Sequence, residues 1–174
     1  MGSRSCGFTV IELMIVLSII AVLIVVAAPS MRTMIISNQL RSVSGDLQSD
    51  MSIARSEASK LSQRVVICAS SDQDTCTSGS AWSAGWIVFV DANNNGQRAT
   101  SGTAEPLIRI REAIPASIGI TAPGVSALSF RAIGIVNTAS NFTICPTTAA
   151  TGVPGRSINM NALGRVQTIN IACP

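Results

Sequence analysis

The first pattern along this chain is an unbroken apolar run. From Phe8 to Ala28 there are 21 residues, and Glu12 is the only charged one. At about 1.5 Å of rise per residue, a helix of that length reaches about 30 Å, enough to cross a hydrocarbon core. It exceeds the apolar core of an ordinary secretory signal, about 7–15 residues. Pro29 comes next, and is expected to kink the helix or loosen the turn before it, because it lacks a donor and crowds the carbonyl one turn back. The pattern then becomes two-sided. Leu40, Val43, Leu47, Met51, Ala54, Ala58 and Leu61 recur at helical spacing, while Arg41, Ser42, Gln48, Ser49, Ser56, Ser59 and Lys60 fall opposite. One long helix is therefore expected over 8–61, with an apolar half (8–28) and an amphipathic half (33–61). The small Ala54 and Ala58 suit a sheet lying close on the second half better than a coiled-coil partner.

Beyond residue 61 the spacing shortens to that of strands. Arg64–Ala69 is a β-branched apolar run, and Trp86–Val90 is another. In Leu107–Arg111 the residues alternate, as in a half-buried strand. Pro115, Pro123 and Gly124 break the pattern between residues 112 and 126. Ala127–Val136, Asn141–Cys145, Arg156–Met160 and Arg165–Ala172 are further short candidates, the last two joined through Asn161-Ala-Leu-Gly164 as a hairpin. No internal repeat is visible by eye. The expected fold class is α+β: one long helix packed on an antiparallel sheet formed by residues 62–174.

Composition narrows the function. The chain has 174 residues, suited to one anchored domain. Its net charge is +3, and no acidic side chain lies beyond Glu112, whereas Arg131, Arg156 and Arg165 do. Histidine is absent, which removes the usual general base and the commonest metal ligand. Serine and threonine hydroxyls abound without a base. A Ser–Lys pair would have to use Lys60, on the polar side of the helix, so an enzyme is not expected, and neither is a cofactor.

A carboxylate inside a membrane helix costs about 2.5–3.5 kcal/mol on insertion scales and calls for a partner. The residues around it, Gly7-Phe8-Thr9-Val10-Ile11-Glu12-Leu13, resemble the processing site of type IV pilin-like proteins. The resemblance implies that residues 1–7 are a leader, that a prepilin peptidase cuts after Gly7, and that the new N-terminal Phe8 is methylated. Cleavage creates an ammonium group at Phe8, close enough to pair with Glu12 of its own or a neighbouring chain. A subunit at the apex has no neighbour above it, so the retained Glu12 points to a non-apex place.

Five cysteines occur, and Cys6 leaves with the leader. The other four are an even set in a segment expected outside the cytoplasm, which reads as two disulfides. Three pairings are open; Cys68–Cys76, closing a short polar loop, and Cys145–Cys173, tying back the chain's end, are favoured. The cysteine spacings contain no CxxC pair, which argues against zinc.

The layout further downstream extends the resemblance. Arg55-Ser-Glu-Ala58, Gly85-Trp-Ile-Val-Phe-Val-Asp91, an Asn/Gly turn and Gly164-Arg165-Val166 are together similar to the GspH/FimT family of minor pilins and pseudopilins. Such proteins are low-abundance subunits of type IV pili or type II secretion pseudopili. The resemblance implies an inner-membrane protein with a periplasmic domain, an inner-membrane assembly platform and other pilins as partners, and a role in priming assembly. An alternative is DNA capture at a pilus tip during natural transformation, with Arg156 and Arg165 as candidate contacts. The DNA-binding branch of the FimT-type pilins carries glycine–arginine–any–arginine here. This chain has Gly164-Arg165-Val166-Gln167, without the second arginine, and no aromatic residues interleave for stacking. An anchored hydrolase or lectin is disfavoured by the missing histidine and scarce aromatics. Asp91-Ala-Asn93-Asn-Asn95-Gly96 matches half of a calcium loop, but Gly102 stands where a bidentate glutamate would be. An Asn/Gly turn is the simpler reading, and no metal is expected.

Overall fold

The computed structural model describes residues 8–148 and 152–173, without the side chains of residues 25–30. The expected leader, 1–7, lies outside the described residues. Helix α1 runs from Val10 to Leu61, continuous through Pro29, whose side chain is not described. Thr9 starts it: its Oγ1 accepts the Glu12 amide at 3.3 Å, satisfying one of the free N–H groups of the first turn. Ser62, at φ 54°, ends it in a left-handed conformation.

The amphipathic stripe packs as expected. Leu40, Val43, Leu47, Met51, Ala54 and Ala58 are buried, Ile36 extends the stripe one turn earlier, and Leu61 at the helix end is exposed. The residues facing them come from two sheets rather than the expected one. β1 (Arg64–Ala69), β2 (Trp86–Asp91), β3 (Leu107–Arg111) and β5 (Ala127–Phe130) form an antiparallel sheet in the order β3-β2-β1-β5. β4 (Ile118–Thr121), β6 (Ser140–Pro146), β7 (Gly155–Met160) and β8 (Val166–Ile171) form a second, ordered β4-β6-β7-β8. β4 lies where only broken chain is expected. It has four residues between Pro115 and Pro123, too few for its Ile118/Ile120 alternation to stand out. Trp82 joins the sheets: its ring meets Phe142 of β6 edge-on at 4.9 Å, and its indole donates to the Val125 carbonyl at 2.6 Å.

The two central strands of the first sheet, β1 and β2, are buried on both faces. The sheet's inner face, with Val65, Ile67 and Val88, meets α1. Its outer face, with Val66, Cys68, Ile87 and Phe89, forms a second small core together with Cys76, Leu107 and Ala127. Cys76, in the loop after β1, contributes to that cover. Burial on both faces is why β1 and β2 read as continuous apolar runs rather than alternating strands. β3 departs from its expected pattern. The register shifts between Val88 and Phe89, Ile110 is left exposed, and Arg111 turns inward.

The expected strand 127–136 also breaks. Arg131 to Gly134 is a tight turn after which Val136 bridges back to Phe130. Its hydrogen bonds match those of the 161–164 turn. Gly134 N donates to Arg131 O and Arg131 N to Ile135 O, just as Gly164 N donates to Asn161 O and Asn161 N to Arg165 O, over 2.8–3.2 Å. Both glycines have positive φ, 77° and 71°, as required at the third position of a three-residue hairpin loop. Arg131-Ala-Ile-Gly-Ile-Val-Asn137 and Asn161-Ala-Leu-Gly-Arg-Val-Gln167 are thus two copies of one hairpin, thirty residues apart. This short repeat corrects the reading that there is none; too few positions are shared for it to show without the hydrogen-bond pattern.

Candidate functional site

The first candidate surface is the beginning of α1. Phe8 is 79% exposed, and large side chains from Val10 to Ile24 are exposed all round the helix. Nothing in the domain packs on them, so this half of the helix presents apolar surface to something outside the chain. Among the described residues no helix is long and apolar enough to cross a membrane; the expected span, 8–28, runs into the residues whose side chains are not described. Glu12 is exposed, and among the described residues it has no cationic partner. In the uncut chain Phe8 is still in peptide linkage with Gly7, so the ammonium group expected to neutralise Glu12 does not yet exist.

Both favoured disulfides are formed, Cys68–Cys76 and Cys145–Cys173. The first staples the loop after β1 over the outer core. Asp72 organises that loop by accepting the Asp74 and Thr75 amides at 2.9 and 2.8 Å. These bonds and the Thr75 hydroxyl, the largest influence, hold the Asp72 carboxyl well below the usual carboxylate range. Arg98 ties this loop to the next: it pairs with the Asp74 carboxylate and donates to the Glu105 carbonyl.

The Asp91–Gly96 turn uses its carboxylate internally. Asp91 is fully buried and accepts the Asn95 and Gly96 amides, each at 3.0 Å. Glu105, also buried, accepts those of Asn93 and Ala99. This is the chemistry of a self-capped turn. No group of three or more metal-ligating side chains occurs among the described residues.

Sequence reasoning missed two charged residues that the fold depends on. Asp50 is fully buried in the helix stripe, accepting from Trp86 Nε1 at 3.0 Å and Arg111 Nε at 2.8 Å. The Asp50 contact is the foremost reason the Arg111 guanidinium is held even above its ordinary range. The signal was positional: Asp50 falls three residues after Leu47 and four before Ala54. Arg55 is the second. Its Nη1 donates to the Gly164 carbonyl at 3.2 Å, which ties the second hairpin turn to the helix, and its side chain passes beside Gly134 of the first.

The two arginines proposed for DNA contact are not brought together. Arg156 pairs with Asn170 at one end of the β7–β8 hairpin, whereas Arg165 adjoins the turn at the other. Five strand steps of about 3.3 Å each put roughly 17 Å between them. Arg165 instead lines a polar cleft of about 400 Å³ with Arg55, Ser52, Ser56 and Gly164.

A helix exposed and apolar at one end, and cemented by one stripe to an α+β head at the other, defines a pilin-like subunit. The chain belongs to the GspH family: the pattern described as "Type II transport protein GspH" matches residues 44–164. A prokaryotic N-terminal methylation motif matches residues 2–28. The fold is similar to that of the type IV minor pilin FimU of Pseudomonas aeruginosa, with TM-score 0.56 and 25% identity over 76% of this chain and 89% of that one. It is also similar to the minor pseudopilin EpsH of the Vibrio cholerae type 2 secretion system, with TM-score 0.53 and 10% identity over 76% and 97% of the two chains. At that identity the second likeness concerns the fold alone. Comparison with curated protein sequences gives no match.

Proposed function

We propose that this chain is a minor structural subunit of a type IV pilus or a type II secretion pseudopilus. Residues 8–28 hold it in the bacterial inner membrane, with residues 62–174 in the periplasm. A prepilin peptidase removes residues 1–7, and Phe8 becomes the methylated N-terminus. The inner-membrane assembly platform then passes the subunit into a filament among other pilins, where it helps prime assembly. It does no chemistry of its own. The observation that carries this reading is the exposed apolar half of α1 with one acid, Glu12, near its start. Apolar surface supplies association without directional chemistry. The acid supplies register, because it is neutralised when the Phe8 ammonium of a chain lies beside it.

Two measurements test the proposal. Mass spectrometry of the membrane-extracted chain should find a terminus at methylated Phe8; an intact Met1 in a peptidase-competent host would contradict it. Glu12→Ala should leave membrane insertion intact and deplete the chain from sheared filaments or from the assembled secretion complex. Undiminished incorporation would remove the role assigned to the acid. The DNA-capture alternative gains nothing from the separation of Arg156 and Arg165.

A further inference from the structure

The central positions of tight turns ordinarily carry polar or small residues, which meet water without cost. The paired hairpins put Ile133 and Leu163 at equivalent places in their loops, 76% and 67% exposed. Among the described residues no other large apolar side chain outside α1 is as exposed. The turns do not need these side chains, since the glycine conformation and the Arg131 and Asn161 backbone bonds close both loops. The turns are also held rigidly together. Val136 N donates to Ala162 O at 3.2 Å, Asn161 Oδ1 accepts from Leu163 N and Arg165 N, and Arg55 on the helix holds the Gly164 carbonyl and lies beside Gly134. Arg55, Arg131 and Arg165 lie within this small region, and among the described residues none of the three has a carboxylate partner.

We propose that the twin turns are a docking surface for the globular domain of a different pilin-class subunit, one offering an apolar recess rimmed by aspartate or glutamate. This rests on the filament reading above. Two aliphatic knobs on a preorganised backbone, ringed by unpaired arginines, have the make-up of an interface centre with its charged rim. The arginines select an acidic partner and orient its approach. Nucleic acid fits the same place less well: the arginines offer charge to phosphate, but Ile133 and Leu163 fill the centre with aliphatic side chains that give bases no aromatic face to stack on. The surface lies beside Arg55 on α1, so a neighbour whose helix packs along the apolar half of this one would bring its own domain alongside.

The test uses the full chain in its native membrane with the other filament subunits present. Ile133→Asn with Leu163→Asn puts turn-compatible residues at both tips. It should leave insertion, processing and the melting temperature unchanged, while co-purification with the partner subunit falls by about tenfold or more. Arg131→Glu with Arg165→Glu should produce a comparable loss. A photo-crosslinking residue at position 163 should capture a distinct pilin-class subunit; crosslinking to DNA, or to no protein, would overturn the proposal, and it decides the matter if the double Asn chain fails to fold. If wild type enters filaments and the double Asn chain enters equally well, the docking surface is wrong while the filament reading stands. If wild type itself never enters them, the filament reading fails first.

Discussion

Trp86 and Asp50 meet through a buried hydrogen bond, 3.0 Å from indole nitrogen to carboxylate oxygen, across the seam between helix and first sheet. Arg111 completes the group at 2.8 Å, donating to the same oxygen. The carboxylate therefore fixes the rotation of α1 about its own axis as well as its position.

Asp50→Ala would leave the Trp86 indole N–H and the Arg111 Nε–H without their acceptor. The expected cost is about 3 kcal/mol, the range for breaking one side of a buried pair. Asp46 also pairs with Arg111, at 3.3 Å, but is only partly buried; Asp46→Ala should cost less than about 1 kcal/mol. Chemical denaturation of both variants checks the contrast, and equal losses would contradict it.

Gly164→Ala combines two penalties. The residue sits at φ 71°, and a Cβ there would lie 2.6 Å from the Gly134 carbonyl oxygen. Gly102 has nearly the same dihedral, 72°, with open space around it. Gly102→Ala should cost about 1 kcal/mol from the backbone conformation, and Gly164→Ala about 2 kcal/mol or more. Melting curves of the pair separate the steric part from the dihedral part.

Gly155 lies under the second disulfide. An added methyl would stand 2.2 Å from Cys173 Sγ and 2.7 Å from Cys145 Sγ. Gly155→Ala should therefore prevent that bridge from closing and cost about 2–5 kcal/mol, as loss of a native disulfide does. Thiol titration of the denatured chain should find the Cys145 and Cys173 thiols free. A fully oxidised variant with an unchanged melting point would contradict this.

Asp72 makes the loop it organises resistant to acid. A carboxyl held below its usual range contributes stability that is present above its unfolded value, and that stability is lost as pH falls through the folded one. The loop around Thr75 should therefore keep its structure down to about pH 4, near the ordinary carboxylate value, and loosen only in stronger acid. The Thr75 amide resonance reports this directly. Its loss between about pH 6 and pH 4 would contradict the assignment, and Asp72→Asn should abolish the transition.

How far each feature could be read from the chain depends on how it is written there. The helix and its stripe were legible because Leu40, Val43, Leu47 and Met51 repeat at a period that nothing else in the sequence mimics. The disulfides were legible because each pairing closes a segment of evident purpose. The split into two sheets was not, because it rests on where strands pair, and β4 is too short to announce itself. Asp50 was hidden by its own regularity: a charged residue at a core position looks like a gap in the stripe until Trp86 and Arg111 arrive from far along the chain. The twin hairpins share few identities, and their kinship lies in backbone bonds. The candidate DNA contacts were plausible as neighbours in sequence, but a hairpin's length holds Arg156 and Arg165 apart.

The buried stripe from Ile36 to Ala58 spans 22 helical steps, about 33 Å along the axis. A pull on the helix end runs parallel to that seam, so Ile36, Leu40, Val43, Leu47, Met51, Ala54 and Ala58 would have to slide together rather than peel one after another. The head is thus glued along its stalk in the direction that resists traction best, which is the direction in which a fibre under tension is loaded.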